Sequence, residues 1–260
     1  MRVIYIKSLE LPQIEIYRFL RDNKTTQDNS FIADSPKVVN ELLKSDIEVK
    51  SILATEKYYQ ANREFLEERC VPILYLASKA LMESIVGHKV HHNVMMHGIR
   101  PPQVAMENLG NHIIMLEQLS KTENIGSIIR SAVALGVDAM VAPKYPHPYG
   151  RRALRVSMGH IAKLPIHSYD SIIPTILALK EQGYCIYGAE VTPDATALSQ
   201  LKVAKRWVLL MGHEQKGLSP EILNYCDETI SIEMNPEIKS FNVSVAASII
   251  LYQLKKVISL

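Results

Sequence analysis

The sequence predicts an α/β protein in two parts, on three observations. Short apolar, β-branched runs alternate with longer helical stretches from about residue 31 onward. In the second half the strand-like runs are apolar throughout and each is followed by a helix, which suits a parallel sheet covered on both faces. Between the two alternations the periodicity weakens and Pro101 and Pro102 disfavour regular structure, so a boundary is expected between about 95 and 108.

In the first half, FIADS, VKSILAT and PILYLA read as strands, with SPKVVNELLKS and EKYYQANREFLEE as the helices between them. Ser35 before Pro36 is a helix start, because the hydroxyl caps free N–H groups and a proline at the first helical position loses no bond. In the second half, HIIMLEQL is a strand and GSIIRSAVALG a helix. AMVAP is a strand leading into a basic loop and turn, KYPHPYGRRALRVSMGH. A helix near SIIPTILALKEQ, the strand YCIYGAE, the strand RWVLLM, a helix from Ser219, the strand ETISIEM and a final helix NVSVAASIILYQLKKVI complete the order. Val243, Ala246, Ala247, Ile250, Leu251 and Leu254 give that last helix a wide apolar surface, more than one sheet face is expected to consume.

Composition limits what such a chain does. With 260 residues, 47% hydrophobic and 22% charged, it buries a sizeable core. Its 29 Lys plus Arg against 27 Asp plus Glu leave a net charge of +2, so any footprint for an acidic partner is local. The three cysteines, at 70, 185 and 226, form no ligand spacing and suit a reducing, cytoplasmic setting. The opening residues mix Glu with Lys and Arg before any long apolar run, so no signal or transit peptide is expected, and no window is apolar enough for a membrane helix.

Three stretches could carry chemistry. LLMGHEQKGLSPEI places Gly212 and Gly217 around a polar excursion between a buried strand and a helix capped by Ser219. Such a turn brings backbone close to a ligand, and it equally describes a plain strand-to-helix connection. It is no Walker A loop, since Leu218 follows the second glycine and no GK[ST] occurs. No two glycines lie two residues apart, which excludes a dinucleotide fingerprint. In KTENIGSIIRSAVALG, Asn124 is placed to cap a helix and Arg130 lies opposite its apolar face; an arginine there fits a solvated surface as well as a site. In SIEMNPEIKSFNVSVAASIILYQ, Ser240 and Asn242 precede a buried helix, and a cap accounts for only one of them.

Together the three stretches resemble, in order and spacing, the signature motifs of the SpoU (TrmH-like) branch of the SPOUT RNA methyltransferases: N-x-G-x-x-x-R-x-A at Asn124–Ala132, G-x-E-x-x-G-L-S at Gly212–Ser219, and I-x-M followed by S-F-N-V-S-V-A-A-S at Ile232–Ser248. The resemblance implies a ribosomal-protein-L30e-like substrate-binding domain over residues 1–95, a linker at 96–108 and a trefoil-knotted methyltransferase domain at 109–260. It further implies a homodimer that methylates a ribose 2′-hydroxyl of rRNA or tRNA, with rRNA preferred. Its cofactor would be S-adenosylmethionine, held by Met211, Gly212, Glu214, Gly217, Leu218, Ile232, Met234, Ser240, Asn242 and Val243. Arg130, Asn124, Glu214, Ser240 and Asn242 are the implied catalytic set. The chain departs from the family pattern at His213, Glu233, Phe241 and Lys121-Thr122-Glu123. A catalytically silent RNA-binding or ribosome-assembly factor of the same fold is the alternative, and the five intact catalytic positions argue against it.

An RNA footprint is expected at Lys144, Arg151, Arg152 and Arg155, interleaved with Tyr145 and Tyr149 for an unstacked base; a solvated loop has the same composition. His91, His92 and His97 lack Cys or carboxylate partners at ligand spacing, so no metal is expected.

Overall fold

A computed structural model of the chain describes residues 1–9, 11–21, 28–235, 237–238 and 240–258; Pro236 and Lys239, in the third motif stretch, lie outside the described residues. The chain divides into two units, Met1–Pro102 with Tyr149–Ala162, and Gln103–Pro148 with Lys163–Leu260.

The first unit holds a five-stranded sheet in the order β1-β4-β3-β5-β2, from β1 (Arg2–Tyr5), β2 (Ser30–Asp34), β3 (Glu48–Ala54), β4 (Ile73–Leu76) and β5 (Val94–Ile99). β1, β4 and β3 run parallel, whereas β5 pairs antiparallel with both β3 and β2. The helices are α1 (Pro36–Leu43), α2 (Glu56–Glu68) and α3 (Lys79–Val86), together with a 3-10 segment over Pro12–Arg21. Ser35 caps α1 as expected, its hydroxyl accepting the Val38 N–H at 3.5 Å, and the helix buries Val38, Val39, Leu42 and Leu43. Burial of such side chains contributes roughly 1.5–3 kcal/mol each. Beneath the sheet Tyr17 is fully buried and its hydroxyl lies 2.8 Å from Ser51 Oγ. β5 covers residues 96–99 of the expected linker. It goes unread in the sequence because Met95, Met96 and Gly98 carry little strand preference; Gly98 is needed because a Cβ there would stand 2.7 Å from the Phe31 ring.

The second unit is a seven-stranded sheet in the order β10-β12-β9-β11-β6-β7-β8, parallel at every pairing. Its strands are β6 (His112–Leu116), β7 (Ala139–Pro143), β8 (Ile166–Tyr169), β9 (Cys185–Ala189), β10 (Thr196–Ala197), β11 (Trp207–Met211) and β12 (Glu228–Ser231). Every residue of β11 is buried, as the fully apolar run demands. β8 and β10 leave no strand-like run in the sequence: IHSY has a single aliphatic residue, as suits the outermost strand, and β10 is two residues long. Helices α4 (Thr122–Ala134), α6 (Ile172–Glu181), α7 (Pro220–Leu223) and α8 (Val243–Ile258) accompany the sheet. α4 and α8 pack together, with Ser131 Oγ 2.7 Å from Ser248 Oγ.

Two expectations need correction. The stretch read as a basic loop contains a short helix, α5 (Arg151–Val156), which groups with the first unit and packs on β2. Most of the apolar surface expected to be left over on α8 is intramolecular core: Val243, Ala247, Ile250, Leu251 and Leu254 are buried and Ala246 is half-buried, and among the helix's described side chains the exposed large apolar ones are Val245 and Tyr252. Among the described residues no helix is long and apolar enough to cross a membrane.

Candidate functional site

In a parallel sheet all strands end on one edge, and in the second unit that edge gathers the loops leaving β6, β9, β11 and β12. The turn after β11 closes on itself through its two glycines. Gly217 donates its N–H to the His213 carbonyl at 2.9 Å and has a φ of +63°, a conformation that favours glycine. A Cβ on Gly212 would lie 2.5 Å from the Gly217 carbonyl carbon, so both glycines are required for the turn to close.

The turn projects Glu214 toward the loop after β6. One carboxylate oxygen accepts the Ser120 N–H and hydroxyl, both at 3.1 Å; the other accepts the Lys121 N–H at 2.9 Å and the Asn124 side-chain amide at 3.0 Å. Partial burial pushes this carboxyl up, but the donors at Lys121, Asn124 and Ser120 outweigh it and hold the group at about 2. Asn124 is therefore not the cap that the sequence suggested. It lies inside α4, buried, and Glu214, ninety residues away in the chain, adds its negative charge to that of Glu123 at the start of that helix.

Asn124 continues the chain of contacts, its Oδ1 accepting the Asn242 amide at 3.2 Å. Asn242 caps α8, its Oδ1 accepting both the Ser244 N–H at 2.9 Å and the Ser244 hydroxyl at 2.7 Å. Glu214, Asn124 and Asn242 are thus one hydrogen-bonded chain across three separated stretches. Arg130, six residues beyond Asn124, lies exposed on α4, and Ser240 is exposed ahead of α8.

Beside this chain a cleft opens in the second unit, lined by Met211, Gly212, Glu214, Gly217, Ile232, Met234, Ser240 and Val243 among others. Leu218 is buried behind it, and Asn242 belongs to the hydrogen-bonded chain rather than to the cleft wall. The shelf at Ile232–Met234 is tied down by Glu233, whose carboxylate accepts the N–H and hydroxyl of Ser199; the hydroxyl bond holds it below the usual carboxylate range. Two acids at the same sheet edge carry no expectation from the sequence. Glu190, one residue past β9, lines the cleft; Glu117, one residue past β6, has a buried Oε2 without a hydrogen-bond partner among the described residues. Burial pushes the Glu117 carboxyl up, and His213 opposes that shift. In the sequence both acids fall inside the strand-like runs HIIMLEQL and YCIYGAE, and only the strand order brings their positions to this edge.

The four basic residues expected to meet RNA fall in different units. Lys144 is in the second, paired with Asp170 at 2.6 Å. Arg151, Arg152 and Arg155 are on α5 in the first, where Arg151 grips Asp34 with Nη2–Oδ2 at 2.9 Å. Tyr149 is buried with its ring centroid 5.2 Å from that of Phe31, so it offers no face for a base, whereas Tyr145 is exposed. His97 of the histidine cluster is engaged by Ser30 Oγ at 2.8 Å.

Residues 111–252 match the model of a family described as the SpoU rRNA Methylase family. An uncharacterized tRNA/rRNA methyltransferase of Mycobacterium bovis is 29% identical over 229 residues, spanning 85% of this chain and 79% of that one. Among solved structures, the AdoMet-bound rRNA methyltransferase from Sinorhizobium meliloti superimposes with a TM-score of 0.83 at 20% identity over 98% of each chain. The AdoMet complex of the SpoU methyltransferase AviRb from Streptomyces viridochromogenes gives 0.81 at 21% identity, over 96% of this chain and 99% of the other. At these identities the two structures establish the fold.

Proposed function

Because the chain belongs to the SpoU rRNA Methylase family, we propose that it transfers a methyl group from S-adenosylmethionine to a ribose 2′-hydroxyl of a structured RNA, with rRNA preferred over tRNA. RNA methyl transfer is the activity of the family; the ribose oxygen and the class of RNA rest on the resemblance of the three motif stretches. The observation that carries the reading is the Glu214–Asn124–Asn242 chain, which joins those stretches at the wall of one cleft.

The cleft suits the cofactor. Ile232, Met234 and Val243 give it apolar walls for a base, Ser240 and Glu190 give it polar edges, and the closed glycine turn exposes backbone rather than side chain at Gly212. Bound there, the sulfonium would supply an electrophilic methyl carbon. The rest falls to the protein's own residues, and since in-line displacement needs alignment more than covalent help, positioning supplies much of the rate. Glu214 and Asn124 fix the start of α4 and thereby the helix that carries Arg130. A guanidinium stays protonated, so Arg130 acts as a clamp on a neighbouring phosphate and stabilises the developing alkoxide, leaving the proton to phosphate or water.

The same reading makes residues 1–95 the L30e-like RNA-selecting domain, 96–108 the linker and 109–260 a trefoil-knotted catalytic domain, working as a cytoplasmic homodimer. In support, all three motif stretches lie in the second unit. Methyl transfer from labelled S-adenosylmethionine to cellular RNA, followed by nuclease digestion, tests the proposal: the label is expected on ribose in rRNA. Arg130→Ala is expected to lower the rate roughly a hundredfold while changing stability by less than about 0.5 kcal/mol, with partial recovery in Arg130→Lys, whose point charge lacks the planar fork. A methyl group on a base, or full activity in Arg130→Ala, overturns the mechanism.

A further inference from the structure

We infer that the Glu190 carboxylate reads the ribose diol of the cofactor's nucleoside; this rests on the cofactor reading above. β9 and β11 are parallel neighbours with Ala189 in register with Met211, so Glu190 leaves the sheet at the same level as Gly212. On its other side its N–H donates to Ile230 O at 3.1 Å, which sets it beside the chain that leads into the Ile232–Met234 shelf. Glu190 therefore stands between the shelf proposed for the base and the glycine turn.

Its carboxylate is held in place. Oε2 accepts the Leu218 N–H at 2.7 Å and Oε1 the Val191 N–H at 3.0 Å. It is seated so closely on the turn that a Cβ at Gly217 would overlap it, and the chain forgoes a side chain there. A carboxylate has about four acceptor positions, and these bonds use two. The remaining acceptors belong to a fixed, half-buried group on the cleft wall. An acidic residue at the end of one parallel strand, beside a glycine turn closing the adjacent strand, is the arrangement by which nucleotide-binding sheets hold ribose hydroxyls. Two vicinal hydroxyls supply two donors to one carboxylate. The cofactor's ammonium would be the other group able to use that charge. The diol is favoured because ribose is bonded directly to the base, and Glu190 adjoins the shelf that would receive the base.

Calorimetric binding of S-adenosylhomocysteine, its 2′,3′-dideoxy analogue and an analogue lacking the amino group tests this on the intact protein. The wild type is expected to bind the dideoxy compound about 10- to 100-fold more weakly than the parent, the effect of losing charge-assisted hydrogen bonds. Glu190→Ala, and Glu190→Gln should the alanine variant not fold, are expected to shrink that ratio severalfold, which loss of support for the turn alone would not do. Equal wild-type affinity for the parent and dideoxy compounds overturns the inference without any variant. So does an unchanged ratio in the variants, or a shrinking ratio for the amino-lacking compound instead. Absence of any binding by the wild type to S-adenosylhomocysteine sinks the cofactor reading itself, and this inference with it.

Discussion

Glu214 concentrates more polar contacts than any other residue of the candidate site, and its protonation state decides whether they survive. Four donors converge on it. Its carboxyl ordinarily titrates near 4.5 and sits at about 2 in the folded chain. A depressed folded value means that its stabilisation is complete above about pH 4.5 and is lost as pH falls from there through about 2. Glu214→Ala is expected to cost about 2–3 kcal/mol at neutral pH, the sum of a lost helix-start acceptor and its charge-assisted bonds. Glu214→Gln should cost less, since one acceptor oxygen remains. Denaturant melts of wild type and Glu214→Gln should converge as the pH is lowered through that window; a constant difference would show that the charge does not matter.

At the scale of elements, α8 has two faces with different fates. The inward face is core, while Val245 and Tyr252, seven positions apart and so on one side of the helix, are 45% and 59% exposed. If that side meets a second copy, light scattering is expected to give twice the 29.3 kDa chain mass, and Val245→Glu combined with Tyr252→Glu should return the monomer. A wild-type monomer at micromolar concentration would refute this. The buried strands of the second unit were legible in sequence because a strand covered on both faces must be apolar throughout, as WVLLM is. β8 escaped because an edge strand carries no such run, and β5 because Met95, Met96 and Gly98 are shaped by packing against neighbours rather than by their own preference. The three motif stretches were legible as candidates. Their connection was not, since the Glu214 contact at the start of α4, the Asn242–Asn124 contact and the seat of Glu190 depend on partners 28 to 118 residues away, and periodicity reports only local order.

For the whole molecule, the membership of Tyr149–Ala162 in the first unit sets a timetable for synthesis. A chain emerging from the ribosome has all five strands of the first sheet available after Pro102, yet α5, with Arg151 to grip Asp34, arrives only after residues 103–148 of the second unit have already appeared. Domains usually fold one after the other as they are made. Here the two units must mature partly in parallel, and α4 waits longer still, because the carboxylate at its start is not translated until position 214. Nascent chains halted with 102 residues exposed are expected to be more readily cleaved by protease within the first sheet than chains halted after residue 162. Equal resistance at both lengths would mean that the late segment only decorates a finished fold.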